Sequence, residues 1–152
     1  MGTKTLWTPE SGVSLITTEL NNAAAAAIIV DGADYDNATN LFRWAAFFLH
    51  LTAFDDVPHA GDTVELHLFY KLDGTLYADG EEGDAATPVP TSNSLHGLFQ
   101  IAATNSLQNQ QVLGVPLLPF AFRAALRLNI SHDLTAVDTH YLKMYPYNED
   151  QP

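Results

Sequence analysis

Side chains alternate between apolar and polar along residues 64–71, and this alternation constrains the fold more than any other feature of the sequence. The first series is Val64, Leu66, Leu68 and Tyr70. The intervening series is Glu65, His67, Phe69 and Lys71. Successive side chains of a β-strand point to opposite faces, so the segment predicts a strand with one face in a core and the other toward solvent.

Several other segments predict strands, and turn signals separate them at short intervals. Residues 41–51 are largely apolar in both alternating series, which predicts a strand covered on both sides, or one with a face in the core and a face in a subunit interface. The remaining predicted strands are 24–30, 95–103, 112–115, 120–130 and 142–146. Strands do not alternate with helices along the chain, so the sequence predicts an all-β fold, a β-sandwich of jelly-roll or immunoglobulin-like type.

The chain divides into a short arm and one domain. Residues 1–13 are polar, with Pro9 and Gly12 as breakers, and predict an extended N-terminal arm in which Leu6 and Trp7 are the apolar anchor. This arm is either a frayed terminus or a segment that docks on a neighbouring subunit, since tryptophan is a poor residue to leave in water. Residues 14–152 predict a single β-sandwich domain, which needs no cross-links at this length.

The charge of the chain limits its partners. Aspartate and glutamate number 18 against six lysines and arginines, which gives a formal net charge of −12. Such a charge repels phosphates, so the sequence predicts no binding of nucleic acid and no association with anionic membranes. The apolar stretch at 44–51 is too short to span a bilayer, and the first twelve residues do not match a signal peptide, which predicts synthesis in the cytoplasm.

No pattern in the sequence predicts catalysis. The chain has no cysteine and no G-x-S-x-G motif, and its six histidines show no metal-ligand spacing. Ser131, His132 and Asp133 have the residue types of a catalytic triad, but adjacent residues in a turn do not easily aim at one another, which favours a polar turn. The acidic segment 79–84 does not match a calcium-binding loop and is interpreted as a solvated loop. The sequence therefore predicts no enzyme, no metal site and no cofactor.

Three segments carry a resemblance to a known class of proteins. The stretch VELHLFYKLDGTLYADG, residues 64–80, resembles a recurrent segment of small tailed-bacteriophage virion proteins, in which a strand runs into a D-G-T-x-Y turn. A proline-bounded segment before a later strand, at 114–122, and a P-Y motif near the C-terminus, at 142–147, are similar to those proteins as well. The similarity spans roughly residues 14–148.

The resemblance implies a structural component of a phage virion, made in the host cytoplasm. Within that class the chain is most similar to head decoration (cement) proteins, which are β-rich trimers that sit on the capsid shell and stabilise it. Its implied partners are the major capsid protein or other virion proteins, and further copies of itself in a homotrimer. The candidate interface residues are Leu6, Trp7, Tyr77, Tyr145 and Tyr147, because aromatic anchors are typical of interfaces, whereas Trp44 is assigned to the core.

Two alternatives stay open. The first is a tail or collar adhesin, a carbohydrate-binding module that contacts the host surface. In that case the long loop at 73–94 carries the site, and Tyr70, Tyr77 and Trp7 stack on sugar rings. The second is an enzyme such as a glycan hydrolase or a cupin-like metal enzyme.

Overall fold

The computed structural model of the chain describes residues 6–9, 11–74, 77, 90–136 and 139–150. Its strands are β1 (Leu6–Pro9), β2 (Val13–Ile16), β3 (Ile28–Val30), β4 (Tyr35–Asp36), β5 (Trp44–Leu51), β6 (Thr63–Tyr70), β7 (Leu95–Gln100), β8 (Gln108–Pro116), β9 (Ala121–Asn129) and β10 (Tyr141–Asp150). A 3-10 turn at Thr18–Leu20 and a one-turn helix, α1 at Asn37–Asn40, are the helical elements of this described part. The all-β class predicted from the sequence is confirmed.

The ten strands form two antiparallel sheets. Sheet A has the order β1-β10-β5-β8, with β2 also paired to β10, and sheet B has the order β3-β9-β6-β7, with β4 also paired to β9. The pairs are nested along the chain: β1 and β2 pair with β10, β3 and β4 with β9, β5 with β8, and β6 with β7. Pairing of β10 with β5 connects the strand pairs of sheet A, and pairing of β9 with β6 connects those of sheet B. The described chain is therefore a two-sheet β-sandwich.

The inward side chains of the long strands meet between the two sheets and form the core. They are Ala45, Phe47, Leu49 and Leu51 in β5, Val64, Leu66, Leu68 and Tyr70 in β6, and Phe122, Ala124, Leu126 and Leu128 in β9. Full burial of each large apolar side chain stabilises the fold by about 1.5–3 kcal/mol. The predicted inward faces of 64–71 and 120–130 are thus confirmed, except that Phe120 stays partly exposed.

The outer face of β6 differs from the prediction. His67 and Phe69 lie in the series predicted to face solvent, yet they are only 2% and 1% exposed. Phe69 packs with Ala125, Tyr77 and Val30 in a second apolar cluster on the outside of sheet B. Because the chain after β6 brings Tyr77 back over the sheet, where it bridges to residue 71, the strand is covered on both faces.

The start of β5 also differs from the prediction. Residues 37–40 form α1, whose first turn is capped by the Asp36 side chain accepting a hydrogen bond of 3.1 Å from Thr39 N. Leu41 then adopts a left-handed conformation with φ of 55°. The predicted strand at 41–51 therefore begins only at Trp44. Similarly, β3 begins at Ile28 and not at residue 24, because Ala26 has φ of 62° in a turn.

Strand β8 is longer than the predicted strand at 112–115. It runs for nine residues, and its first four are Gln108, Asn109, Gln110 and Gln111. These amides show no apolar alternation, which is why the pattern did not reveal them. In the part of the chain that the structure describes, β8 is at the end of sheet A and pairs only with β5, so polar side chains are tolerated along it.

Candidate association surface

The outward face of sheet A carries a row of aromatic side chains. The outward series of β5 and β10 contributes Trp44, Phe48, Tyr141, Tyr145 and Tyr147, and these five residues define the aromatic face. The register of β10 on β5 places Tyr147 opposite Trp44. Tyr145 is 38% exposed, and the other four side chains are partly exposed. Aromatic residues left at a surface in this way are typical of surfaces that bind a partner.

Several side chains of this face pack on one another. The rings of His50 and Tyr141 stack with their centroids 4.6 Å apart and 13° between their planes. The Phe48 ring lies 6.2 Å from the Tyr141 ring, and Lys143 Nζ lies 4.7 Å from the centroid of Tyr141. His50 Nδ1 is also 2.7 Å from Oδ1 of Asn109 on β8. These contacts hold the rings in fixed orientations, which reduces the entropy lost when a partner binds.

A glycine and a β-bulge shape the middle of the face. A Cβ atom at Gly12 would lie 2.6 Å from Cε1 of Tyr145, so glycine lets the backbone lie directly against this ring. In β8, Leu113 and Gly114 together stand opposite Ala46, and Gly114 has φ of 67°. The small Ala46 side chain leaves a depression of about 220 Å³, which Tyr145 and Leu113 border. The bulge therefore directs Leu113, 65% exposed, toward the rim of this depression.

The structure separates the five residues predicted as interface anchors. Tyr145 and Tyr147 lie on the aromatic face, and their role in association stays a prediction. Leu6 and Trp7 lie in β1, whose backbone pairs with the end of β10 in the same chain. Tyr77 is only 5% exposed and packs inside this chain, which leaves it little surface for a partner and differs from its predicted role.

A polar cluster on sheet B holds Tyr77. Its hydroxyl donates a hydrogen bond of 2.6 Å to Asp34 Oδ1. Asp34 also pairs with Lys71 Nζ at 2.6 Å and with Arg123 Nε at 3.0 Å. Burial acts to raise the pKa of Asp34, but hydrogen bonds from these three neighbours outweigh it and hold the pKa below its ordinary value. The carboxylate therefore stays charged and fastens the segment after β6 to the sheet.

No acidic residue occurs in the stretches of the sheet A strands that carry the aromatic face. β5, β8 and residues 141–148 contain no aspartate or glutamate, although the whole chain has 18. A partner that covers this face buries no carboxylate of these strands, so the desolvation cost that opposes association of charged surfaces is small. The face offers ring surface, amide groups and one cation, Lys143, which lies over Tyr141.

Two residues of the aromatic face, Trp44 and Phe48, differ from the prediction. Trp44 was assigned to the core, and this assignment is wrong because its side chain belongs to the outward series of β5. Phe48 was not proposed as a surface residue. The signal that points to both is the second apolar series of 41–51, which is consistent with one face in the core and one in an interface.

A hydrogen-bonded chain on sheet B joins three residue types that serve in hydrolases. Ser94 Oγ lies 3.0 Å from His67 Nδ1, and His67 Nε2 lies 3.1 Å from Glu65 Oε2. Ser94 Oγ is also 3.0 Å from both N and O of Thr91 within a turn, and Ser94 is 7% exposed. Burial lowers the pKa of His67, which keeps the imidazole neutral. The arrangement therefore fastens the start of β7 to β6.

The side chains of Ser131, His132 and Asp133 contact three different partners. Ser131 Oγ donates a hydrogen bond of 2.6 Å to Asp62 Oδ2. His132 Nδ1 lies 3.6 Å from Asp55 Oδ1, and Asp133 Oδ1 accepts a bond of 2.7 Å from a backbone N–H in the segment before β3. This arrangement is that of a polar turn and not of a triad.

Two further observations apply to the part of the chain that the structure describes. No group of three histidine, aspartate or glutamate side chains there is close enough to hold a metal ion. Within the same residues, no helix has the length and apolar character needed to cross a membrane. The acidic segment 79–84 lies outside the described residues.

Asp31 is buried at the end of β3, where its ionised form is unfavourable. It is 7% exposed, and its Oδ1 accepts a hydrogen bond of 3.1 Å from Ala33 N. Burial raises the pKa of Asp31 from 3.8 to about 6, against the lowering effect of the Ala33 N–H. The carboxylates of Glu19 and Asp34 also raise this pKa, and Arg123 lowers it. Above about pH 6 the Asp31 carboxylate is ionised in the folded chain. Because water solvates this charge better in the unfolded chain, ionisation lowers the free energy of unfolding.

Replacing Asp31 with asparagine is expected to raise the free energy of unfolding by about 1–3 kcal/mol at about pH 7.5. The pKa is higher in the folded chain, so the wild type gains stability as the pH falls from about 6 toward 3.8, whereas Asp31→Asn does not. Urea unfolding at several pH values measures the difference. Asp56→Asn, at an exposed position, is the control: it retains Asp31 and is expected to keep the wild-type gain in stability as the pH falls. A stability gain that is independent of pH would contradict the explanation.

Comparison with family models and with curated proteins gives no match. The features that bear on the function of the chain are therefore the strand order, the aromatic face and the distribution of charge.

Proposed function

We propose that this chain is a structural protein of a tailed-phage virion, a head decoration (cement) protein that binds the capsid shell and stabilises it. The observation that carries the proposal is the aromatic face, a surface free of carboxylates on a strongly acidic protein. Such a surface supplies binding energy by burial alone and needs no reactive group. Its proposed partners are the major capsid protein and further copies of this chain in a homo-oligomer, a trimer by the resemblance.

We also propose that the sandwich is a jelly roll. In a jelly roll the chain folds as one long hairpin, so its first strand pairs with its last and the pairing is nested inward, in two sheets of four. The nested pairs of β1 and β2 with β10, β3 and β4 with β9, β5 with β8 and β6 with β7 support this topology. An immunoglobulin-like sandwich instead has the sheets ABED and CFG, in which the first strand pairs with the second. Viral capsid proteins use jelly rolls, and this is consistent with the proposed role.

The aromatic face has the right size for one contact of a repeated assembly. Three strands at about 4.8 Å spacing and eight residues at about 3.3 Å cover roughly 400 Å². This is about half of the ~800 Å² that each partner buries in a standard interface, so the contact is individually weak. Repetition over the many equivalent sites of a shell then supplies avidity without new contacts.

Binding to capsid shells tests the proposal. We expect the purified chain to sediment with shells of its own phage that were prepared without it, and to saturate at a fixed number of copies per shell. Tyr145→Glu is expected to weaken binding by about 30-fold or more, the size of a hot-spot loss. Leu41→Glu introduces the same charge at a residue that is 57% exposed and lies outside the face, and it is expected to bind like the wild type.

Two results would count against the decoration role. Failure of the wild-type chain to bind shells would contradict it directly. Equal binding by Tyr145→Glu and Leu41→Glu would show that the chain binds shells but that the aromatic face is not the contact. Thermal unfolding of each variant checks that neither substitution has disturbed the fold.

A second candidate function is glycan binding by a tail or collar adhesin. The observation in its favour is that amide side chains on β8, Asn109 and Gln111, lie beside the aromatic face, since sugar sites combine stacking rings with polar groups. Lectin domains also use jelly rolls. Binding on a glycan array that Tyr145→Glu abolishes would favour this role over decoration, and an array without hits would remove its support.

A further inference from the structure

One long segment of the chain contains no charged residue. From Ala85 to Phe122 there are 38 residues without aspartate, glutamate, lysine or arginine. The chain as a whole is 16% charged, so about six would be expected in a segment of this length. Charge is depleted at the centres of protein interfaces, and a solvated surface does not need such depletion. The segment therefore calls for a structural reason.

Within this segment, residues 95–116 form one side of the sandwich. β7 is the end strand of sheet B and β8 is the end strand of sheet A. A Cβ atom at Gly97 would lie 2.7 Å from Val112 Cγ1, so the glycine allows the two end strands to approach closely. We call β7, β8 and the connecting residues 101–107 the uncharged edge. Among the described residues, no further strand pairs with β7 or with β8 on the open side.

The uncharged edge also exposes apolar side chains. Nine large hydrophobic residues are exposed in the described chain, and four of them lie on this edge: Leu95, Leu98, Leu107 and Leu113. Their exposed fractions range from 45% to 65%. An open strand edge beside exposed leucines is a template for pairing with another chain unless charges or prolines protect it. Among the described residues, the protection consists of the bulge at Gly114 and Pro116 at the far end of β8 and of an irregularity at His96 in β7.

We infer that the uncharged edge is the contact between two copies of this chain. Each copy carries a net charge of −12, so copies repel one another unless they approach through a surface without carboxylates. The groups on the edge are also complementary to themselves: leucines pack on leucines, and each amide of Asn109 and Gln111 both donates and accepts hydrogen bonds. A basic partner would find no carboxylate on β7, on β8 or on residues 101–107.

The size of the edge is sufficient for such a contact. β8 has nine residues, which at about 3.3 Å per residue gives a length of about 30 Å. Two sheets about 10 Å apart, with their side chains, give a width of about 20 Å. The resulting ~600 Å² approaches the ~800 Å² that each partner buries in a stable interface. The inference deepens the homo-oligomer part of the proposed function, but it requires no virion.

Sedimentation of the purified chain over a range of concentrations tests the inference. We expect the wild type to associate, and Leu98→Glu and Leu107→Glu to weaken association by about tenfold or more. Leu41→Glu and Val57→Glu are matched controls, because these residues are 57% and 46% exposed, lie outside the edge, and receive the same charge. The controls are expected to associate like the wild type.

The outcomes separate this inference from the decoration role. A wild type that stays monomeric at its highest soluble concentration would overturn the inference, as would Leu98→Glu and Leu107→Glu variants that associate normally. Loss of association in Tyr145→Glu, with the edge variants unaffected, would place the contact between copies on the aromatic face and overturn it too. Association through the edge without binding to shells would uphold the inference while the decoration role fails.

Discussion

Replacing Phe122 with alanine is expected to lower the free energy of unfolding by about 3–5 kcal/mol. Phe122 is 0% exposed on β9, a central strand of sheet B. Its ring lies 5.3 Å from the ring of Tyr70 and 5.4 Å from that of Tyr35, so the substitution removes contacts on both sides and leaves a cavity. Because domains of this size are stable by about 5–15 kcal/mol, the loss is a large fraction of the total. Chemical denaturation followed by tryptophan fluorescence measures it.

The matched control for Phe122 is the same substitution on the outside of sheet A. Phe48 is only partly exposed, but its side chain faces away from the core. Phe48→Ala is therefore expected to cost about 1 kcal/mol or less in stability. If both alanine variants lose the same free energy, the assignment of inward and outward series in the sandwich is wrong.

Replacing Asn37 with alanine is expected to lower the free energy of unfolding by about 2–4 kcal/mol. Asn37 is 0% exposed, and its Nδ2 donates hydrogen bonds to the carbonyls of Phe42 and Leu118 at 2.9 and 2.8 Å. Its Oδ1 accepts a bond of 3.0 Å from Phe42 N. Alanine leaves these backbone groups without that partner in a part-buried site, and it releases the connection before β5 from the segment after β8.

Asn40 provides the control for Asn37 within the same helical turn. It is exposed, and its Nδ2 donates to Asp36 O at 2.8 Å. Asn40→Ala is expected to change stability by about 0.5 kcal/mol or less, because water replaces the lost hydrogen bond. Equal losses in the two variants would show that the buried amide of Asn37 does not determine the effect.

The strands whose inward faces were predicted correctly are those in which apolar and polar side chains alternate, because this alternation follows burial. β6 and β9 each alternate over eight or more residues, and their inward series form the core. The all-β class follows from several such segments. The strand order does not follow from the sequence pattern, because nested pairing joins residues that are far apart in sequence, such as Leu6 and Asp150.

Where prediction failed, contacts from distant residues replaced the local pattern. His67 was expected to face solvent, but Ser94 and Glu65 bind its two ring nitrogens and the chain covers it. β8 was predicted too short because amides occupy its first half. The aromatic face was found only in part: Tyr145 and Tyr147 were proposed, whereas Trp44 was not, since an aromatic residue in an apolar strand belongs equally well to a core or to an interface.

The position of β10 in sheet A has a consequence for how the molecule is made. β10 lies between β5 and the pair β1 and β2, so it joins the two parts of the sheet. It is also the last of the described strands to leave the ribosome, and until then β5 lacks one neighbour and the N-terminal strands lack their partner. Completion of the sheet must therefore wait until β10 has been synthesised, and long-range pairing of this kind makes folding slow. Nascent chains stalled before residue 141 should remain open to protease, whereas released chains should become resistant.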